Sequence, residues 1–542
     1  MTSGSKKDRI MNFNILRGIF TVLLTLMTSF QIFAIPPGTA KIFSYPLPSI
    51  YKASSFFELQ VNGVTIPVVG YNDKYDYAQL SMSKGKAEFT ISLKNGDKVS
   101  AYNISPKKLS IAGIQTGNTL KFTLHNDEYL IVKINQFREL VIAADGEETD
   151  KPSSFGKGIF NISTQPYAAV SSHTELATGA IQKAIDDAAA YKGGKGIVYV
   201  PAGVYPVRNL KLKSNMSLYL EGGAVLLFSG EEKDFKISAR KASQNRNLTW
   251  WIATDSGAHD IKIYGRGTLD GNGKYSTEKN NLGAHILAIM HTEKFELNGP
   301  VIRESGAWAI IPTRSKNLVF QNFKLFNRFD MGENDGIDVI ESQNVLVKHA
   351  IGIALDDPFS TKTWTQNTDL CRNWPGKPMV QDGVRFEDCI SWTYCYGYKI
   401  GQGVMQDQRN IVFKDCVVYD AAVGIGIHHK WGTAAVRNVL FDGIDIERLS
   451  YQNDDHRTWA IFFMQNGDKK GSGPIDNVLV KNVLVRDEGK SPGKIKGVSA
   501  AIPVSNLKFK NIVMPGTAGA ASTLQQIKMT DTSYTNQIQI KK

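Results

Sequence analysis

The chain has 542 residues, 42% of them apolar, and carries 63 Lys and Arg against 51 Asp and Glu for a formal net charge of +12. That length and apolar share support a sizeable core and more than one domain, which excludes a disordered chain, and four cysteines, at 371, 389, 395 and 416, exclude a disulfide scaffold. A mildly basic surface suits an acidic polymer as partner, although a solvated basic face is the commoner reason for it.

In chain order, Lys6, Lys7, Arg9 and Arg17 precede an uncharged apolar stretch from Gly18 to Ala34. Residues 1–34 are therefore expected to be a secretory signal peptide, cleaved near Ala34, with the mature protein secreted or periplasmic. A retained membrane anchor is the alternative, since the stretch approaches the length of a short span.

Residues 35–150 alternate apolar and polar side chains in "FFELQVNGVTIPVV", "AEFTISLKNGDKVSAY" and "NTLKFTLHNDEYLIVKIN", joined by short polar turns. This pattern predicts a small antiparallel β-sandwich. "DGEETDKPSSFGKG" reads as a linker, and residues 151–542 form the second domain. That domain opens with "TGAIQKAIDDAAAY", which puts Ala180, Ile181, Ala184, Ile185 and Ala188 on one helical face behind Thr178 as N-cap.

One phrase then recurs, opening at Asn317, Asn344, Gly383, Asn410, Asn438, Asn477 and Asn506, as in "NLVFQNFKLFN" and "NIVFKDCVVYD". Most openings are roughly 28 residues apart, and two intervals are longer. Each phrase alternates with period two and is too short to bury its own apolar face, so stacked coils of parallel strands are the expected all-β architecture, capped by the helix. Cys389 and Cys416 fall at matching places in successive coils and read as stacked interior side chains.

The phrase from Asn344 is flanked by acids: Asp335 before it, and Asp356 and Asp357 after it. Adjacent coils lie about 4.8 Å apart, so the three carboxylates can line one groove. Asn, Asp, Gly and Pro also dominate ordinary turns, which explains any one of these acids alone. Clustered like charges raise one another's pKa and are unfavourable without a task, and glycoside hydrolysis by inversion needs an acid and a water-activating base. Metal binding fits less well, because no His accompanies the acids and no calcium loop occurs.

The stretches "AIQKAIDDAAAYKGGKGIVYVPAGVY", "IYGRGTLDGNG", "NDGIDV" and "ALDDPFSTK" resemble glycoside hydrolase family 28, the polygalacturonases. The resemblance covers roughly residues 160 to 450. It implies a right-handed parallel β-helix, Asp356 as general acid, Asp335 with Asp357 as the pair that activates water, and Lys362 as a matching lysine. Two departures accompany it. Where the family has "GHG" this chain has "CYGYKIGQG", with Tyr396 in place of the His and Lys399 shortly after. Where the family has "RIK" it has Gly426, Ile427 and His428, so the expected clamp for a sugar carboxylate is missing, and His428, His429 and Lys430 are its candidate replacements. His428 reads equally well as a turn residue packed on Trp431.

Trp364, Trp374, Trp392 and Trp431 surround the same coils, some to grip a sugar ring and some for the core. Loops at 363–382 and 449–476 are expected to close part of the groove, which suits exo action. A polysaccharide or oligosaccharide is the expected partner, with no cofactor, metal, nucleic acid or membrane after signal removal, and a monomeric state. A dextranase-like α-glucan hydrolase, a β-helix polysaccharide lyase and a non-catalytic carbohydrate-binding protein remain the alternatives.

Overall fold

The computed structural model describes residues 38–365, 368–451, 457–467 and 471–542. The expected signal segment, residues 1–34, lies outside the described residues.

Two sheets face each other across the first apolar core. Val64–Ile66, Phe57–Val61, Ala87–Leu93, Thr119–Leu124 and Ile114–Thr116 form a five-stranded antiparallel sheet, and their alternating side chains bury Phe57, Leu59, Phe89, Ile91 and Phe122. The seven-stranded partner departs from the antiparallel expectation at its centre, where Tyr75–Met82 and Glu139–Gly146 run parallel. Both strands are buried along nearly their whole length. The reason is that one face meets the sandwich core while Tyr75, Tyr77, Tyr129 and Val141 on the other pack on Phe326, Ile353, Trp392 and Tyr419 of the second domain. Parallel pairs are favoured where both faces are covered.

From Ile159 onward strands stack coil upon coil into a right-handed β-helix, in two long sheets of 21 and 12 strands that are parallel except for Ala239–Lys241. Side chains of equal register pile up inside: Val347, Phe386, Phe413, Phe441, Val480 and Phe509 are successive partners. Phe386 and Phe413 stack at 5.0 Å, and Phe413 and Phe441 at 4.9 Å. Cys389 and Cys416 lie in the same core, and all four cysteines are free.

The recurring Asn has a backbone cause. Asn317, Asn344, Asn410, Asn438, Asn477 and Asn506 all take positive φ, between 52° and 57°, and Gly383 fills the place once at 69°. The coil needs a left-handed residue at this bend, which Asn tolerates and glycine adopts freely. The amides also bond from coil to coil, Asn477 Nδ2 donating to Asn438 Oδ1 at 2.9 Å and Asn344 Nδ2 to Asn317 Oδ1 at 3.2 Å.

Thr178–Ala189 covers the open end with Ile181, Ala184, Ile185 and Ala188 buried, while Ala180 is only half-buried. Thr178 is not its N-cap. Ala177 occupies that place, and Thr178 Oγ1 instead accepts the Arg208 N–H of a neighbouring strand at 2.8 Å. Among the described residues no helix is long and apolar enough to cross a membrane.

Candidate active site

The three acids gather at the 12-stranded sheet, where the order Ile310–Thr313, Ile337–Ile340, Phe359–Lys362, Tyr396–Gly403, Val423–Trp431 follows the coils. Asp335 precedes Ile337–Ile340, and Asp356 and Asp357 lie in the bend between Gln343–Ala354 and Phe359–Lys362. The "NDG" motif proves to be more than a turn. A Cβ on Gly336 would fall 2.2 Å from the Pro358 carbonyl oxygen, so only glycine lets the coil bearing Asp335 approach the coil bearing the acid pair. Asn334, fully buried, ties the two together: its Oδ1 accepts the N–H groups of Leu355 at 3.0 Å and Asp356 at 3.3 Å.

All three line a cleft of about 410 Å³, together with Lys362, Lys399, Arg240, Lys241 and Glu333. Lys362 Nζ bonds Asp335 Oδ2 at 3.0 Å and Asp338 Oδ2 at 2.8 Å. Lys399 Nζ bonds Asp357 Oδ2 at 2.5 Å, and the Tyr396 N–H reaches Asp357 Oδ1 at 3.2 Å. Among the described residues Asp356 alone of the three lacks a lysine. Nearest oxygens of Glu333, Asp335 and Asp356 lie within 4.8 Å of one another. Such a group can hold a divalent cation, but here Lys241 on Glu333, at 2.7 Å, and Lys362 on Asp335 already supply the compensating charge.

Protonation follows from this asymmetry. Burial, with the charges of Asp335 and Asp357 added to it, pushes the Asp356 carboxyl well above its usual range. Burial also raises Asp357, against the opposing pull of Lys399. Asp338 is pushed up to about 7 by burial, with Lys362 opposing. Lys362 and Lys399 are held above the ordinary lysine value despite burial, by Asp335 and Asp357 respectively. Asp335 Oδ1 is buried without a protein hydrogen-bond partner among the described residues, which leaves it an acceptor for a water or sugar hydroxyl.

The expected replacements for the missing clamp do not meet at the cleft. His429 is fully buried, its Nε2 bonded to the Ala434 carbonyl at 2.8 Å. Strand alternation is the cause: in Val423–Trp431 the side chains of Ile425, Ile427 and His429 turn inward, so of the three candidates only His428 and Lys430 can point outward. His428 packs on Phe463 at 5.3 Å between ring centroids, and burial lowers it to about 4, keeping it neutral. Lys430 lies over the Trp431 ring at 4.6 Å. Tyr396 joins a small apolar cluster with Val423, Ile461 and Phe463. None of these four lines the cleft among the described residues.

Of the tryptophans, Trp364 and Trp431 line the cleft with ring centroids 5.4 Å apart, whereas Trp374 and Trp392 are core residues. Trp308 extends the aromatic run, 6.2 Å from Trp364, and carries Lys362 Nζ 4.1 Å above its ring. Sequence reasoning missed Trp308, Asn334, Asp338 and the basic pair Arg240 and Lys241. Asp338 was visible as the second acid of "NDGIDV", but nothing in the sequence near Arg240 signals a site. The loop at 363–382 contributes Thr368, Asp369 and Leu370 to the wall, and no described residue of 449–476 does.

A parallel β-helix that brings the acids of two successive coils to a tryptophan-lined cleft is the architecture of a carbohydrate-active β-helix protein. Residues 194–533 match the family described as glycosyl hydrolases family 28, and the chain belongs to that family. It is 28% identical over 443 residues to an exo-poly-alpha-D-galacturonosidase of Dickeya chrysanthemi, covering 69% of this chain and 71% of that protein. It is 22% identical over 293 residues to a probable polygalacturonase of Vitis vinifera, covering 51% of this chain and only 58% of that relative. Among solved structures it resembles the family 28 exopolygalacturonase of Yersinia enterocolitica, with a TM-score of 0.56 at 18% identity over 89% of this chain and 95% of that one. That likeness concerns the fold.

Proposed function

We propose that this chain hydrolyses glycosidic bonds of a pectic polysaccharide or oligosaccharide. The observation that carries the reading is the division of labour among three clustered carboxylates: two are held by lysines, and the third, Asp356, is half-exposed, has no lysine on it among the described residues, and is pushed by burial and by its acidic neighbours toward keeping its proton. A carboxyl that favours its proton, beside two that lysines hold, is what general acid catalysis with base-activated water requires.

Asp356 gives its proton to the leaving glycosidic oxygen. Asp335, with Oδ1 free of protein partners, and Asp357 orient a water and draw off its proton as the water oxygen bonds to the anomeric carbon. Inversion follows from direct attack by water. Inversion requires the water held by Asp335 and Asp357 to attack the anomeric carbon on the face opposite the leaving oxygen that Asp356 protonates.

A hydrogen-bonded wall on one side of the cleft supports attack from a chain end. The Arg240 N–H donates to the Asp369 carbonyl at 3.1 Å, and Asn373 Nδ2 to the Ser238 carbonyl at 2.6 Å, which joins the hairpin of Ala239–Lys241 to the loop after Trp364. The relative from Dickeya chrysanthemi, an exo-poly-alpha-D-galacturonosidase, supports the same reading. The pattern of residues 1–34 supports action outside the cytoplasm, which an N-terminus near residue 35 in exported protein would establish.

The test is product analysis on pectic oligosaccharides. A new reducing end of inverted configuration by proton NMR, released as short sugars from one chain end, is expected. An unsaturated uronide absorbing in the ultraviolet would mark a lyase, and the absence of any product would leave a binding protein.

A further inference from the structure

We propose that Arg240 is the residue that recognises the sugar carboxylate, in place of the cations missing from the two coils after the acids. This rests on the pectic reading above and names where its acidic substrate is held.

The cleft needs such a residue. Glu333, Asp335, Asp356, Asp357 and Asp369 make its lining rich in acid, a wall that repels a polyuronate unless a cation faces the sugar. Three of its four cations are committed to protein carboxylates: Lys362 to Asp335 and Asp338, Lys399 to Asp357, Lys241 to Glu333. Arg240 makes no ion pair among the described residues. The acids near it are engaged elsewhere, Asp369 by Arg372 at 2.5 Å and Glu333 by Lys241 at 2.7 Å, while Glu232 accepts from Asn247 at 2.6 Å.

The guanidinium is nonetheless held in place. Nη1 donates to Asn247 Oδ1 at 2.9 Å and Nη2 to Asn245 Oδ1, both neutral acceptors, so the group is oriented without losing its charge. Among the described residues two of its five N–H donors are used, and those left suit the fork geometry of a carboxylate. The hairpin breaks the coil pattern: Ala239–Lys241 pairs antiparallel with Arg246–Thr254 in a sheet otherwise parallel, and this places position 240 on the cleft wall. Neither Tyr396 nor His428 competes for the role, because neither lines the cleft and both are uncharged at neutral pH.

The experiment compares binding of digalacturonate with that of its carboxyl-reduced, neutral counterpart, by calorimetry in the Asp356→Asn background, which leaves the sugar intact. Preference for the acidic disaccharide is expected, and Arg240→Gln should cut the ratio of the two affinities about tenfold or more, the scale of a charge-assisted bond. Arg240→Lys, which keeps the charge but not the fork, should fall between. A ratio unchanged in Arg240→Gln, or no preference before mutation, overturns the proposal. Should Arg240→Gln fail to fold, a ratio in Arg240→Lys equal to that of the parent does so. Failure of the unmutated chain to release any sugar from pectic substrates would instead sink the hydrolase reading, while the binding ratio still decides the role of Arg240.

Discussion

The Tyr396 ring lies over Gly426, so that a Cβ at position 426 would stand 2.9 Å from Tyr396 Cε1 and 2.8 Å from the Ile461 carbonyl oxygen. The two departures from the family pattern are thus one structural change. An aromatic ring on one coil fills the space that a side chain on the next would take, and no arginine at 426 fits beneath it. Lys399 supplies the cation nearby, 4.7 Å from the centre of the Tyr396 ring and bonded to Asp357.

Gly426→Ala is therefore expected to destabilise the fold by about 1–3 kcal/mol, the usual scale of overpacking. Tyr396→Ala in the same chain should recover only part of the loss, because the Ile461 carbonyl is backbone and cannot move aside. Thermal unfolding of the two variants measures both effects, and full recovery would show that the ring alone sets the constraint.

Asp356→Asn should lower kcat by about 10²–10⁴-fold or more while leaving the circular dichroism spectrum unchanged, since the amide matches the carboxyl in shape but donates no comparable proton. Retention of a tenth of the parent activity on an unactivated substrate would remove Asp356 from the acid role.

The same variant carries a stability signature. The folded Asp356 carboxyl binds its proton more tightly than the unfolded one, so between the two pKa values folding takes up a proton and stability declines as pH rises. The contribution is complete below the unfolded value of about 4 and is lost upward through the raised folded value. Asp356→Asn should thus gain stability relative to the parent as pH rises from 4 to 8, read from paired melting curves. A constant difference would contradict the raised carboxyl.

Asn334→Ala should leave the half-buried N–H groups of Leu355 and Asp356 without their acceptor, at about 1–3 kcal/mol, and let the acid-bearing bend drift. The expected mark of this positioning role is a lower kcat with little change in KM, and partial recovery in Asn334→Asp, which keeps the acceptor oxygen.

Arg314 and Glu341 form an ion pair at 2.7 Å with both side chains fully buried. Arg314 Nη1 also donates to the carbonyls of Trp374 and Gly376, and Glu341 Oε1 accepts from the Trp364 N–H. Arg314→Leu should cost about 3–5 kcal/mol by stranding Glu341, and should raise KM by loosening the Trp364 wall, whereas Arg314→Leu with Glu341→Leu should recover much of the stability and not the KM.

Alternation and periodicity alone determined that this chain is a stack of parallel β coils, because burying one face of each short phrase leaves no other solution. The Asn openings were legible for a related reason, since a left-handed bend restricts the residue types that fit. The acids at 335, 356 and 357 could be read from the same repeat, as coils of known spacing bring residues near one period apart together. Tertiary structure alone decided which neighbours make those acids different. Asp338 and Asn334 matter through the coil they touch, and His429 fails because the strand turns it inward where its sequence neighbours face outward. Arg240 reaches the cleft only because an antiparallel hairpin folds back on the sheet, and no local pattern encodes a contact made across more than one coil.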